Sequence, residues 1–262
     1  MRKYILGIVG IIVILFAFTV ISWKPATKTV ERSVAISPDT IYNAFVNSLY
    51  QHIGLAESGL PINVFEKAVT GFYNLKNAGK IDDNKSILTI ADFNQSSTKK
   101  RLWIIDLDKK SLILNTWVAH GRGSGGDKAT RFSNTSESHQ SSMGFYVTAE
   151  IYRGKHGRSL RLDGMDEGFN SNARSRAIVV HGADYVSQGT INALGRLGRS
   201  HGCPAVAPEL TDRVIDTIEG KTVLFINVND SRYNSKYLDH HMAATLANRP
   251  APPVVTDTVV SI

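Results

Sequence analysis

Cysteine is almost absent from this sequence. Only Cys203 occurs among the 262 residues, so the chain cannot form an internal disulfide bond. A lone cysteine is either a buried apolar residue or a reactive thiol. Cys203 lies in the segment GRSHGCPAV, directly after a His-Gly pair, and this glycine-rich context makes its thiol the first group to consider for a function.

The sequence also lacks the closely spaced ligands of common zinc peptidases, such as H-E-x-x-H. A zinc site could be assembled only from dispersed side chains, namely His120, His139, His181 and His201 with Asp163 or Asp184. A zinc peptidase is therefore the rival enzyme class. We predict no metal and no other cofactor.

Acidic residues are too few to balance the basic ones. The chain has 23 Asp and Glu against 30 Lys and Arg, which gives a formal net charge of +7. Such a surface is either simply solvated or favours polyanionic surroundings. Because basic and aromatic residues do not alternate as they do in nucleic-acid platforms, we expect anionic wall polymers or headgroups as partners, and no nucleic acid.

One long uncharged run occurs, from Tyr4 to Trp23, between Arg2 and Lys3 on one side and Lys24 on the other. It reaches the roughly 20 residues that a membrane-spanning helix needs. It lacks the short apolar core and A-x-A exit of a cleaved signal peptide, which stays the alternative. We predict a membrane anchor at residues 1–23, with the rest exported to the cell envelope by the positive-inside rule.

The rest of the chain divides into four parts by composition and apolar spacing. Residues 24–38 are polar, contain two prolines and are predicted to be a tether. Residues 39–80 carry apolar side chains at helical spacing and are predicted to form an N-terminal helical flank. Residues 81–228 hold the main domain. The polar residues 229–262 are predicted to be a partly disordered tail.

Within the main domain, the apolar residues follow the period of β-strands. Strand patterns occur in SILTIADF, KRLWIIDLD, SLILNTWVAHG, GFYVTAEIY, SLRLDG, RAIVVHG and KTVLFINV. The segment APELTDRVIDTIEG, before the last of these, is predicted to be a helix. Many short strands separated by Gly- and Ser-rich turns predict a mainly β fold, either a sandwich or a barrel.

Two segments together carry the groups of acyl-transfer chemistry. AIVVHGADY brings His181 to the end of an apolar strand, a rigid support for a catalytic side chain. SHGCPAV places Cys203 in a tight turn whose backbone N–H groups favour a thiolate and an oxyanion. A thiol nucleophile, an imidazole base and N–H donors are what covalent acyl transfer needs. The alternative is a buried cysteine and an unrelated histidine.

These segments resemble the L,D-transpeptidases of peptidoglycan, most closely their murein L,D-transpeptidase catalytic domain branch. The resemblance rests on the H-G pair and the S-H-G-C motif, and it extends through RLWIIDL, VAHGRGSG, FSNTSESHQSSMGFYVT, Y.GKHG.SL.L.G, N.NARSRAIVVHGADYV and RSHGCPAV. It runs from about Asp39 to Val228. It implies an L,D-transpeptidase-like β-sandwich with a few helices over residues 81–228.

The resemblance assigns roles to matching positions. It implies that Cys203 is the nucleophile and His181 the general base, oriented by the backbone carbonyl of Gly182. It further implies oxyanion N–H groups from His201, Gly202 and Cys203.

The same resemblance gives Ser200 the role of bracing the turn. Two departures follow the nucleophile: Pro204 removes a backbone donor, and Ala205 stands where many members have Asn or Arg. Substrate contacts must then come from other side chains, and the candidates are Arg199, Arg196, Arg176, Arg174, Tyr185 and His120.

Enzymes of this family attack the carbonyl of diaminopimelate in a tetrapeptide stem, release D-alanine and hold the stem as a cysteine thioester. A second diaminopimelate then forms a 3→3 cross-link, a protein lysine becomes wall-attached, or water trims the stem. The resemblance therefore implies a peptidoglycan L,D-transpeptidase whose partners are stem peptides, a protein lysine being one acceptor to test. The alternatives are an L,D-carboxypeptidase and a non-catalytic wall-binding protein.

Overall fold

The computed structural model describes residues 37–247. Within them the α-helices are α1 (Pro38–Ile53), α2 (Ile62–Asn77), α3 (Gln188–Leu194), α4 (Thr211–Ile218) and α5 (His240–Ala247). The strands are β1 (Ile87–Asp92), β2 (Leu102–Asp106), β3 (Ser111–Thr116), β4 (Gly144–Gly154), β5 (Gly157–Gly164), β6 (Val179–Gly182), β7 (Ala205–Val206) and β8 (Val223–Asn227).

The predicted membrane anchor and nearly all of the tether lie outside the described residues. None of the helices found between residues 37 and 247 has the length and apolar character needed to span a membrane.

All eight strands belong to one sheet, in the order β3-β2-β1-β8-β4-β5-β6-β7. The pairs β1–β8 and β6–β7 are parallel, and the other neighbours are antiparallel. Just after β3, the N–H of Ala119 donates to the carbonyl of Ala205 in β7 at 2.8 Å. The two edges of the sheet therefore meet, and the sheet is nearly barrel-shaped.

The mainly β prediction is confirmed, and of the two predicted forms, sandwich or barrel, the single sheet is closer to the barrel. Each segment with a strand pattern contains a strand, and the predicted helix is α4, preceded by a 3₁₀ turn at Pro208–Leu210. Since the bridge at Ala119 joins the two outer edges, the apolar strand faces enclose a core within a single curved sheet.

Helices α1 and α2 occur where helical spacing predicts them, and they share a core with one face of the sheet. The largest side chains of this core are fully buried; they are Tyr42, Phe65 and Phe72 from the helices and Trp103, Phe145 and Phe225 from the strands. Burial of such side chains stabilises a fold by about 1.5–3 kcal/mol each. A boundary between residues 80 and 81 stays a prediction.

A second core lies under α4 and supports the strands that carry the site. Val214, Ile215 and Ile218 of α4 pack in one cluster with Leu160 of β5 and Val180 of β6. Strand β6, which carries His181, is thereby supported by helix α4.

The segment after β8 differs from the predicted loose tail. A 3₁₀ turn at Lys236–Leu238 and helix α5 follow β8, and Ala243 and Ala244 are buried. The side-chain amide of Asn74 on α2 donates to the carbonyls of Tyr237 and Asp239, both at 2.8 Å. Residues 229–247 therefore belong to the fold, and residues 248–262 lie outside the described part.

Candidate active site

His181 ends the buried part of β6, and only 2% of it is exposed. Its Nδ1 lies 2.8 Å from the carbonyl oxygen of Gly182, so Nδ1–H donates and the Nε2 lone pair is left to accept a proton. Burial lowers the pKa of His181, the bond to Gly182 opposes this, and the nearby His156 adds to the lowering. The imidazole is thus neutral at neutral pH, as a base requires.

Gly182 is confined by its surroundings. A Cβ at this position would collide with the side chain of Thr211 at the start of α4. Only glycine lets the end of β6 approach the helix this closely, and the carbonyl that orients His181 is fixed as a result.

Strand pairing brings the Cys203 turn beside His181. In the parallel pair β6–β7, His181 lies opposite Ala205 and Gly182 opposite Val206, so the turn that holds Cys203, two residues earlier, lies level with the start of β6 near Val179. The half-buried thiol has its Sγ 3.6 Å from the carbonyl oxygen of Ala177.

Three effects act on the Cys203 thiol. Burial raises the pKa of the thiol, while a backbone N–H of Val179 and the positive charge of Arg176 lower it. Burial prevails, so the net shift is upward. The resting pair is therefore a neutral thiol and a neutral imidazole.

Ser200 is hydrogen-bonded across the turn. Its hydroxyl donates to the carbonyl of Cys203 at 2.6 Å and accepts the N–H of Gly202 at 3.0 Å. These are the contacts of a bracing residue. The N–H of Gly202 is thus already engaged with Ser200, whereas an oxyanion role for the N–H groups of His201, Gly202 and Cys203 stays a prediction.

Ser141 is a second support of the turn. Its hydroxyl donates to the carbonyl of Gly202 and accepts the N–H of Gly121, both at 3.0 Å. The residue belongs to the Ser-rich loop of residues 133–142, which packs against the turn through glycines. A Cβ on Gly121 would collide with the carbonyl of His139 and come within 2.8 Å of the Cα of Gly202.

The arginines predicted to bind substrate have other partners in the structure. Arg176 donates to the 133–142 loop through Ser133 O, Ser142 Oγ, Ser138 Oγ and Gln140 O, so its guanidinium clamps the loop. Arg174 pairs with Asp163 and Glu150. The half-buried Arg196 and Arg199 donate to the carbonyls of Leu197 and Gly125, each at 2.7 Å. A substrate role for any of the four stays a prediction.

His120 does not face the cleft, contrary to expectation. Only 1% of it is exposed, and its Nδ1 lies 2.7 Å from Nη2 of the buried Arg101. Burial and the Arg101 charge lower the pKa of His120 to about 3. The backbone carbonyl of His120 accepts the N–H of Ser200 at 3.0 Å, so the residue supports the turn from behind.

Two cavities lie near the candidate site, one beside Gly182 and one beside His201. One of about 550 Å³ lies on the His181 side, where Gly182, Tyr185 and the β4–β5 turn line it. Tyr185 lines this cavity, burial raises its pKa to about 12, and its contact with substrate stays a prediction. The other cavity, of about 340 Å³, is lined by Arg176, Ala177 and His201.

The histidines of the rival zinc hypothesis are spread over three places. His139 lies against His201 and His181 against His156, each pair with ring centroids 4.4 Å apart, while His120 lies with Arg101. Across residues 37–247, no three His, Cys, Asp or Glu side chains are grouped so that they could hold a metal ion.

Several residues near the site have no role predicted from the sequence. Ser141 lies in the Ser-rich segment, and Arg153, Lys155 and His156 lie around the β4–β5 turn. Both segments contribute to the family resemblance, which was the available signal. Their distance along the chain from Cys203 hides their proximity to it.

The chain matches one known protein family by sequence. Residues 56–227 match the family described as the L,D-transpeptidase catalytic domain. Curated protein sequences gave no match.

Solved structures of low sequence identity also match. An L,D-transpeptidase from Mycobacterium smegmatis is 12% identical over 55% of this chain and 59% of its own, with a TM-score of 0.34. The helical cell shape determining protein Pgp2 from Campylobacter jejuni, in a mutant form, is 12% identical over 70% and 61%, with a TM-score of 0.38. An L,D-transpeptidase from Stackebrandtia nassauensis is 13% identical over 71% and 77%, with a TM-score of 0.34. The chain spans half to three fifths of the first solved structures that it matches.

Proposed function

The chain belongs to the L,D-transpeptidase catalytic domain family, and on that premise we propose that it is a cysteine-dependent peptidoglycan L,D-transpeptidase. The observation that carries the proposal is the bond from His181 Nδ1–H to the Gly182 carbonyl. It leaves the Nε2 of a neutral imidazole to accept a proton, on the strand that pairs with the strand following Cys203.

The first half-reaction forms the thioester. As the Cys203 sulfur attacks the diaminopimelate carbonyl of a tetrapeptide stem, the thiol proton passes to Nε2 of His181. The N–H groups of His201 and Cys203 donate to the developing oxyanion. When the C–N bond breaks, the imidazolium of His181 returns the proton to the nitrogen of the leaving D-alanine.

The second half-reaction resolves the thioester. The amine of an acceptor attacks the thioester carbonyl, a C–N bond forms and the C–S bond breaks. His181 takes a proton from the attacking nitrogen and delivers it to the departing sulfur. The products are the new amide and the regenerated thiol, so atoms and protons balance without a further reactant.

Two alternatives make different products. With water as the acceptor, the enzyme would be an L,D-carboxypeptidase that trims stems. A non-catalytic wall-binding protein would keep the fold without turnover. A protein lysine is a second type of acceptor amine, beside that of diaminopimelate, and it would yield a wall-attached protein.

The proposed location is the cell envelope. An anchor at residues 1–23 would hold the catalytic domain outside the cytoplasm, where stem peptides occur. Expression with a C-terminal reporter that is active only after export tests this location.

Incubation of the full chain, in detergent, with purified disaccharide-tetrapeptide tests the function by mass spectrometry. We expect a dimer formed with loss of one alanine. Cys203→Ser should fold, as judged by an unchanged circular dichroism spectrum, and lose activity about 10⁴-fold or more, as loss of a nucleophile does elsewhere.

The products separate the candidates. Alanine loss without a dimer would make the protein a carboxypeptidase. Equal activity of the wild type and Cys203→Ser would refute the thioester mechanism. A folded wild type that releases no alanine from the stem and also binds it would support the wall-binding alternative.

A further inference from the structure

The β4–β5 turn carries basic side chains over the end of β6. Arg153 pairs with Arg158 and Gly154 with Gly157, so Lys155 and His156 form the turn between the strands. Ser159 of β5 lies opposite His181, and the turn therefore projects past the point where His181 ends its strand.

His156 shows how close this turn comes to the base. Its ring stacks on the ring of His181, with centroids 4.4 Å apart and an angle of 27° between the planes. His156 also lines the 550 Å³ cavity beside Gly182. The turn, the base and this cavity thus form one site.

Most of the charge on this cavity is positive. Arg153, Lys155 and Arg158 line it, and the charge of Arg158 is balanced by Asp212 at 3.1 Å and Asp216 at 2.5 Å. Arg153 and Lys155 are exposed and form no ion pair with any residue of the described range.

Asp184 is a further charged residue of this site. It lines the same cavity and likewise has no ion pair within residues 37–247. Counted with Asp212 and Asp216, the three cations meet three carboxylates, so the unpaired Arg153 and Lys155 are the groups that a negative group of a ligand could contact.

The chemistry of the proposed function fixes where a negative charge must lie. His181 protonates the nitrogen of the leaving amino acid. In a free amino acid, the carboxylate carbon is two bonds from that nitrogen, about 2.5 Å away. The carboxylate of the leaving residue must therefore lie within a few ångströms of His181, where Arg153 and Lys155 line the cavity.

We propose that Arg153 and Lys155 form a binding site for the α-carboxylate of the amino acid whose nitrogen exchanges a proton with His181. The inference rests on the proposed transpeptidase function and specifies its selectivity. By microscopic reversibility, the entering amine takes the place of the leaving one. An acceptor with a carboxylate on its amine-bearing carbon gains this contact, and the ε-amine of a protein lysine gains none.

Two donor stems that differ in one group test the site. One ends in D-alanine and the other in D-alaninamide, which has no negative charge. For the wild type, kcat/KM should be about tenfold to a hundredfold lower with the amide, the loss expected when a charge-assisted hydrogen bond is removed.

The variant Arg153→Ala with Lys155→Ala should lower kcat/KM on the D-alanine stem by a similar factor and leave the amide stem nearly unaffected. Arg153→Lys with Lys155→Arg should restore discrimination. The control variant, Lys67→Ala with Lys99→Ala, loses the same charge at exposed positions outside the cavity. It should discriminate between the two stems as the wild type does. Equal losses on both stems in the Arg153/Lys155 variant would overturn the proposal.

A binding measurement keeps this test separate from turnover. In the Cys203→Ala background of the full chain, calorimetry should give about tenfold weaker binding for the amide stem than for the D-alanine stem. This difference should disappear in the Arg153/Lys155 variant. If the Cys203→Ala variant bound both stems equally, the carboxylate site would be overturned even if the wild type were active. If that variant bound them unequally but the wild type had no turnover, only the transpeptidase function would be contradicted.

Discussion

At the scale of single residues, the thiol of Cys203 is governed by burial more than by its turn. The sequence favours a thiolate there because backbone N–H groups and a histidine are near. In the structure, the N–H of Gly202 is engaged with Ser200, and burial raises the pKa of the thiol. Arg176 is the cation that opposes this shift, since its charge lowers the pKa of the same thiol.

Alkylation of Cys203 should therefore require alkaline pH in the free protein. Because the pKa is raised, less thiolate is present at a given pH, and the iodoacetamide rate should rise with an inflection above about 8.5, the value of a free thiol. Arg176→Gln removes a charge that stabilises the thiolate and should move the inflection higher, whereas Arg176→Lys should leave it near that of the wild type.

The control for this experiment is Arg174→Gln. Arg174 pairs with Asp163 and Glu150, and its charge does not contribute to the shift at Cys203, so the alkylation profile should be unchanged. An inflection below that of a free thiol in the wild type would contradict the neutral resting pair.

At the scale of elements, the Ser-rich loop and the Cys203 turn act as one unit because their backbones touch. The contact depends on Gly121 and on the hydroxyl of Ser141, which bonds to the turn and to Gly121. Arg176 holds the rest of the loop. The position of Cys203 thus depends on a segment far from it in sequence.

Gly121→Ala should separate the loop from the turn. The added Cβ would collide with the backbone of His139 and Gly202, and overpacking of this kind costs about 1–3 kcal/mol in the free energy of unfolding. We expect a lower Tm. We also expect a loss of activity at low temperature, where the variant is still folded and the lower stability alone would not reduce activity. Gly126→Ala, in the same Gly-rich segment but with open space around its Cα, should change neither; matching effects in both variants would contradict the proposed contact.

A helix or strand could be predicted from the sequence where its apolar residues recur at a regular spacing. Strands β1 to β6 and β8 carry apolar patterns, whereas β7 has two residues and α3 buries none of its own, so neither leaves a pattern to find. Sheet closure was not predictable because it depends on the bridge at Ala119, outside any strand.

The positions of His181 and Cys203 could be predicted from their motifs, but the partners of the basic residues could not. Arg174 and Arg176 flank the motif in sequence, yet their guanidinium groups turn to Asp163 and the Ser-rich loop. The basic residues that line the cavity beside His181 come from the β4–β5 turn, which only the antiparallel register brings there.

At the scale of the whole molecule, the C-terminal segment fastens the helical layer to the sheet. Asn74 is 1% exposed, and its amide satisfies two carbonyls on either side of Leu238. Tyr237 is in ring contact with Phe145 in the core. The ends of the described chain are therefore joined through α2.

Asn74→Ala should lower the free energy of unfolding by about 1–3 kcal/mol, because buried carbonyls lose their donor. Urea denaturation measures this change. Asn47→Ala is the control, since Asn47 is exposed and bonds within its own helix, and it should stay within about 0.5 kcal/mol of the wild type. A stability loss confined to Asn47→Ala, or absent from both variants, would contradict the fastening role.

The pairing of β1 with β8 determines when the centre of the sheet can fold during synthesis. The first strand lies in parallel beside the last one, so the centre of the sheet has no partner on one side until synthesis has passed residue 227. Non-local pairings of this kind slow folding and leave nascent strands open to wrong association. A chain truncated before β8 would keep β1 unpaired on one side. Such a truncated chain should therefore misfold and be degraded rather than persist as a partly folded domain.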